Sequence, residues 1–309
     1  MNKQHTKIRK KSILKRIAKE KWLYLMLIPG MVYFVLFKYG AMSGLSIAFM
    51  NYSPFRGMNS PFVGLKHFIR LFNERNFWMI FRNTLLLAIY NIVFYFPFPI
   101  ILSLLLNELR NQRYKNTVQT IIYIPHFISW PVVVSLCYLL FSPSYGFINT
   151  ILQEMGLSPV NPLMTPSAFR PMVILMQIWK ESGWGTIIFL AALSGVNVEL
   201  YEAAIMDGAN RFQQMVHVTF PAIRGTIITM LILRMGSFMD SGFEQIYLLL
   251  NALNRSVGEV FDTYTYTTGL VDGQFSYSTA VGLFKSVISL VMVIGVNSLA
   301  KHFGEEGVY

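Results

Sequence analysis

Long apolar runs recur along this chain, and no water-facing fold of its size could bury them all. The first extends from about Trp22 to Phe49 and is interrupted by Pro29, Gly30 and Lys38. Five more follow, near 81–106, 120–140, 171–193, 222–238 and 278–300. Each is about 20 residues or slightly more, the length a helix needs to cross hydrocarbon. In lipid every backbone N–H and C=O must be satisfied internally, which for such runs means a helix. The expectation is therefore all-α: a polytopic membrane protein with six transmembrane helices. Composition agrees. Charged residues make up 13% of the chain and the mean hydropathy is +0.46, against about 25% charge in soluble domains.

The formal charge of +11 looks at first like a nucleic-acid signal, but its distribution argues otherwise. Nine of the 26 Lys+Arg residues fall in the first 21 positions. That is a cytoplasmic flank by the positive-inside rule, suited to anionic lipid and not to nucleic acid. The short loop after the second run carries Arg110, Arg113 and Lys115 and belongs on the same side. Segment 142–170, rich in Pro, Ser and Gly, reads as an outside loop. So does 241–275, with Glu244, Glu259, Asp262 and Asp272 against Arg255 alone. Both termini are then cytoplasmic in a multi-pass membrane protein. The chain divides into a basic N-terminal segment (1–21), a six-helix transmembrane domain (22–300) and a cytoplasmic tail (301–309).

Segment 51–78 resists this scheme, because Arg56, Lys66, Arg70 and Arg75 lie on the side assigned to the outside. Within it PFVGLKHFIRLF has helical apolar spacing and suits a short helix at the interface. A cleaved leader is disfavoured, since the first apolar run is too long and no small-x-small site follows it. Pro97, Pro99, Pro125 and Pro131 imply kinked or broken helices in the second and third spans.

Between the fourth and fifth runs lies a polar stretch, ELYEAAIMDGANRFQQMVHVTFP, positions 199–221. Tyr201, Ala204, Ile205 and Gly208 are three or four apart, giving a helix one compact face. Gly208 suits a turn, and Pro221 would open the next membrane helix. The reading is helix, turn, helix at a membrane surface.

Several chemistries are missing. There is no GxxxxGK[ST], HExxH or GxSxG, and the five histidines are scattered. Cys137 is the only cysteine, so neither an intrachain disulfide nor a cysteine metal cluster is available. A channel, a transporter or a transporter subunit remains. An intramembrane enzyme would need catalytic groups at matched depth, and none are seen.

The polar stretch carries a resemblance. Glu202-Ala203-Ala204, three residues, Gly208, nine residues, then Val218-Thr219-Phe220-Pro221 resembles the EAA loop of ABC importer permeases. Val218 and Phe220 stand where that family usually has Ile and Leu. The resemblance extends through IPGMVYFVLFKYGAMSGLSIAFMNYSPFRG, NTLLLAIYNIVFYFPFPIILSLLLNELRN, QTIIYIPHFISWPVVV and DGQFSYSTAVGLFKSVISLVMVIGVNSLAKHFGEEG. These are similar to carbohydrate permeases of the LplB (polysaccharide/oligosaccharide) type, relatives of the maltose-transporter permeases.

What the resemblance implies is a type I ABC importer permease fold in a bacterial cell membrane, with no cofactor in this chain. ATP and Mg would be bound by two partner ATPase subunits. A second homologous permease and an extracytoplasmic solute-binding protein would complete the complex. Glu202, Ala203, Ala204, Asp207, Gly208, Val218, Phe220 and Pro221 would form the ATPase-coupling loop.

Substrate-pathway candidates come from polar and aromatic residues at membrane depth. They are Tyr90, Asn91 and Tyr95 in the second span and Trp179, Lys180, Glu181 and Trp184 in the fourth. Asp240, Phe243 and Glu244 near the end of the fifth and Lys285 in the sixth complete the set. Aromatic faces beside hydrogen-bonding groups suit sugar rings. The same residue types also belt membrane interfaces or form structural pairs. An importer for peptides or amino acids is the nearest alternative within the class. A self-sufficient channel is another, though a coupling loop would then have no purpose.

Overall fold

The computed structural model describes residues 19–304 and 307. Most of the expected basic N-terminal segment, and 305, 306, 308 and 309 of the tail, lie outside the described residues. Among the described residues the architecture is helical, with one isolated bridge, Met50 to Phe62, and no strand.

Helix α1 runs Lys21–Phe49 and is exposed along almost its whole length. Only its far end, at Ala48, is buried. After the bridge comes α2, Lys66–Asn73, the short helix expected within 51–78. Its buried face holds His67 and Leu71, while Leu65, Ile69 and Phe72 point outward.

Helix α3 is a continuous run, Phe77–Asn107. It widens to a π-turn at Asn91–Tyr95, and the cause is local. Pro97 has no N–H for the Val93 carbonyl four residues back, and its ring would strike that carbonyl in an ideal α-helix. A wider turn relieves both problems without breaking the span.

The third span, expected over 120–140 with a kink or break at its prolines, is two helices. α4, Gln112–Phe127, and α5, Trp130–Leu140, meet at 98°, with Pro125 and Pro131 flanking the break. α4 begins at Gln112, so Arg113 and Lys115 are helical and not in a loop. α6, Phe147–Glu154, follows. Then comes α7, Pro166–Ser194, 29 residues without a π- or 3-10 interruption.

A 72° bend leads from α7 to α8, Val198–Met206, and a turn leads to α9, Arg211–Ala222. α9 meets α10, Arg224–Gly236, at 56°. Pro221 therefore does not open the membrane helix. It closes a turn that ends at Ile223, and α10 starts beyond it.

Segment 241–275 was expected as a loop, but it is an ordered cap of three short helices. These are α11, Phe243–Leu249, α12, Arg255–Gly258, and α13, Phe261–Tyr266. The final span is α14, Phe275–His302. Among the described residues three helices (α1, α3 and α14) are long and apolar enough to cross a membrane alone, and six spans result when each bent pair counts as one.

The cap is fixed by buried polar groups, which explains its order despite an acidic sequence. Asn83 of α3 is fully buried and donates to the Ser256 and Glu259 carbonyls at 3.2 and 3.0 Å. Arg170 of α7 donates to Asn83 Oδ1 at 2.8 Å and to the Val257 carbonyl at 3.2 Å. Gln245 donates to the Val173 carbonyl at 2.8 Å. Around these, Leu87, Val133, Phe169, Ile246, Leu249 and Val260 form the apolar core between cap and spans. Glu259, nearly buried there, is pushed above the ordinary carboxylate range by desolvation, with Arg255 opposing. Close helix crossing depends on glycine. A Cβ at Gly183 would overlap the Ile122 carbonyl, and one at Gly185 would press on Pro99.

Candidate functional site: a coupling hairpin and a mid-span polar network

The α8–α9 hairpin is built by its own sequence. Asn197 caps α8 by accepting from the Glu199 N–H at 3.0 Å, and Glu199 sits where the helix dipole favours an acid. Gly208, at φ 81°, ends the helix in the left-handed region. The Ala209 N–H reaches the Ala204 carbonyl at 2.9 Å, and the Gly208 N–H reaches the Ile205 carbonyl at 3.0 Å. That pairing closes a Schellman turn, which needs glycine at this position. Asn210 and Gln213 then cap α9 reciprocally. A second π-turn, Met215–Thr219, precedes Pro221 for the reason given at Pro97.

Two bonds hold the hairpin shut. Tyr201 Oη meets Thr219 Oγ1 at 3.0 Å, and Gln214 donates to the Ala209 carbonyl at 2.8 Å. The expected single face is split: Tyr201 and Ala204 turn inward, whereas Ile205 is exposed. Glu202, Ala203, Asp207 and Gly208 are exposed, and so are Phe220 and Pro221. A groove of about 440 Å³ runs between the arms, lined by Leu200, Ala203, Ala204, Asp207, Gly208 and Val218 among others. Met206 and Phe212 stand beside it, 86% and 68% exposed. Apolar side chains this open, with Leu200 and Ile205 exposed on the same hairpin, mark a contact surface. Arg211 reaches Glu108 at 3.5 Å, tying the hairpin to the end of α3.

A polar network lies at mid-span. Asn91 donates to Gln177 Oε1 at 2.6 Å and accepts from Arg234 Nε and Nη2 at 3.1 and 2.7 Å. Arg234 also lies over the Tyr95 ring, 6.0 Å from its centre. Thus α3, α7 and α10 are joined by one amide. On α7, Gln177, Glu181 and Trp184 share a face at i, i+4 and i+7. Glu181 receives Lys180 at 2.8 Å and pairs with His126 Nδ1 at 2.7 Å. Lys180 also donates to the His126 carbonyl, at 2.9 Å, in the break of the third span. The His126 ring stacks on Trp184, centroids 4.6 Å apart and planes 8° from parallel.

Asn91 and Tyr95 therefore cluster with Gln177 and Arg234, and Lys180, Glu181 and Trp184 cluster with His126, the two groups sharing one face of α7. Trp179 does not join them; it lines an apolar groove with Leu136, Leu140 and Leu175. Tyr90 packs on Phe94. At the cap end Lys285 binds both Asp240 and Asp262, so its charge is already met. Phe243 stacks with Tyr247 and lies 5.0 Å from Tyr266, an aromatic trio beside exposed Asp240 and Glu244.

Four participants escaped the sequence reading: Gln177, His126, Asp262 and Arg234. Arg234 left a signal, a charge inside the apolar fifth run. Asp262 left none, because it read as loop acidity. Among the described residues no group of three or more His, Cys, Asp or Glu side chains could hold a metal.

Broken spans enclosing polar groups, with an exposed hairpin at one end and no nucleotide-binding motif, define a membrane-embedded transport subunit. Comparison fixes the family. Residues 100–304 match the binding-protein-dependent transport system inner membrane component, and the chain belongs to that family. It is 53% identical over 304 residues to the polygalacturonan/rhamnogalacturonan transport system permease protein YteP of Bacillus subtilis. That match covers 98% of this chain and 95% of YteP. It is 52% identical to Protein LplB of Bacillus subtilis, over 95% of this chain and 92% of LplB. A bacterial alginate ABC transporter chain, solved with an alginate pentasaccharide-bound periplasmic protein, superposes with TM-score 0.87 at 38% identity. It covers 95% of this chain and 99% of that one. The protein is a permease subunit of a carbohydrate ABC importer, an inner membrane component and not an enzyme.

Proposed function

We propose that this permease carries oligosaccharide fragments of an acidic polysaccharide inward by alternating access. The driving movement enters through residues 199–221. The observation that carries the coupling role is the hairpin itself: pre-folded by its own caps, turned by Gly208, open along its groove, and continuous with α7 and α10. A partner that grips it moves both spans. The partner is an ATPase, which supplies the ATP and Mg that this chain has no motif to hold.

The hairpin end and both termini face the cytoplasm, and the cap 241–275 faces the binding protein. Residues 22–300 form the transmembrane domain. The bare length of α1 supports a neighbouring membrane chain, a second homologous permease in a heterodimer, with two ATPases below. The acidic class of sugar is supported by a second solved neighbour, 38% identical over 94% of this chain, described as importing the acidic polysaccharide alginate. The sugar path follows Asn91, Tyr95, Glu181 and Trp184, with the Phe243–Tyr247–Tyr266 trio at its mouth.

A photo-crosslinking residue in place of Phe212 tests the coupling role in the assembled importer. Crosslinks to the ATPase that change with bound nucleotide are expected. Crosslinks to lipid alone would contradict the assignment.

A further inference from the structure

We infer that Arg234 is the group that takes the carboxylate of the transported sugar. The inference rests on the acidic-oligosaccharide reading above and adds the residue that enforces it.

Lys180, Lys285 and Arg234 stand around the polar network and its cap-side end, and the two lysines are neutralised. Lys180 is bound by Glu181, and Lys285 is bound by Asp240 and Asp262. Arg234 is different. Its hydrogen bonds go to one neutral atom, Asn91 Oδ1, and it lies over the Tyr95 ring. Asp240, the acid nearest along the chain, is occupied by Lys285. Among the described residues Arg234 makes no ion pair; Asp240 acts on its charge only from beyond ion-pair distance, and the guanidinium's hydrogen bonds leave from Nε and Nη2, not from Nη1.

A charge at membrane depth without a counter-ion is costly, and a neutral side chain would hold Asn91 as well. Arg170, which also lacks an acid, is accounted for by the Val257 carbonyl and Asn83 in the cap. Arg234 ties α10 to α3 through the Asn91 amide, but it does so with two of its three nitrogens on a single neutral acceptor. It is only partly buried, and Asn91 is held in turn by Gln177, so the guanidinium is aimed with its Nη1 outside those bonds. A guanidinium edge is the fork that a carboxylate fits.

The test uses the complete importer in proteoliposomes. A uronate trisaccharide and the same trisaccharide with its carboxyls reduced to alcohols are each supplied at saturating binding protein. Arg234→Gln should lower uronate uptake relative to the reduced sugar by about tenfold, the scale of one charge-assisted hydrogen bond. Arg234→Lys should restore most of that ratio. Asn91→Asp keeps the acceptor but neutralises the cation in place, and should lower the ratio in the same direction. This second variant leaves Arg234 itself intact, so a misfolded Arg234→Gln does not decide the matter. An unchanged ratio in Arg234→Gln and Asn91→Asp, with uptake of both sugars equal to wild type or falling together, overturns the inference alone. Failure of the wild type to import either sugar overturns the substrate reading beneath it.

Discussion

At the residue scale, single side chains carry disproportionate weight where the backbone leaves no alternative. Gly208 holds φ 81° with no obstruction beside it. A β-branched substitute would therefore suffer conformationally, not sterically, by about 1–2 kcal/mol. Gly208→Val should loosen the turn and cut uptake while leaving the amount of protein in the membrane unchanged, read by transport assay and immunoblot. Glu202→Lys should do the same by reversing the charge on the exposed arm. Asn83 illustrates burial. Asn83→Ala strands two carbonyls and the Arg170 guanidinium, so stability should fall by about 1–3 kcal/mol, seen as a lowered thermal midpoint in detergent. The Gly208 turn was legible in the sequence, since local spacing specifies it. The Arg234–Asn91 bond was not. Its partners are 143 residues apart, and periodicity says which face a residue takes, not which span it meets.

At the element scale, proline placement decided the shapes. The breaks at Pro125 and Pro131 were readable because a helix cannot continue unchanged through them. Whether the chain would bend or widen was not. It bent by 98° in one case and widened into a π-turn before Pro97 in the other. The cap 241–275 was misread as a loop because its short helices are ordered by α3 and α7, not by their own propensity. Helix α2 offers a pH test. His67 Nε2 donates to the Met50 carbonyl at 3.0 Å in a buried site. Burial, then Lys66 and Arg70, hold its pKa below the ordinary 6.5, against the raising effect of that bond. A depressed folded value means docking of α2 is at full strength above 6.5 and is lost as pH falls through the lower value. Hydrogen exchange at 66–73 should therefore quicken on acidification, and His67→Gln should abolish that dependence.

At the scale of the whole molecule, the run of apolar segments made the six-span class plain, and the EAA spacing made the partner plain. The broad shape followed from those two signals alone. The sugar path was harder, because aromatic and polar residues at depth serve packing, interfaces and ligands alike. Trp179 and Trp184, five residues apart on α7, end in different surroundings: an apolar groove and a stacked histidine. The central claim is that movement enters through 199–221 and reaches the sugar through α7 and α10. Its most direct measurement is the number of sugars taken up per ATP hydrolysed by the reconstituted importer, compared between wild type and Gly208→Val. A fixed ratio in the wild type and continued hydrolysis with little uptake in the variant are the predicted results. An unaltered ratio in the variant, or uptake that proceeds without ATP, would contradict the account.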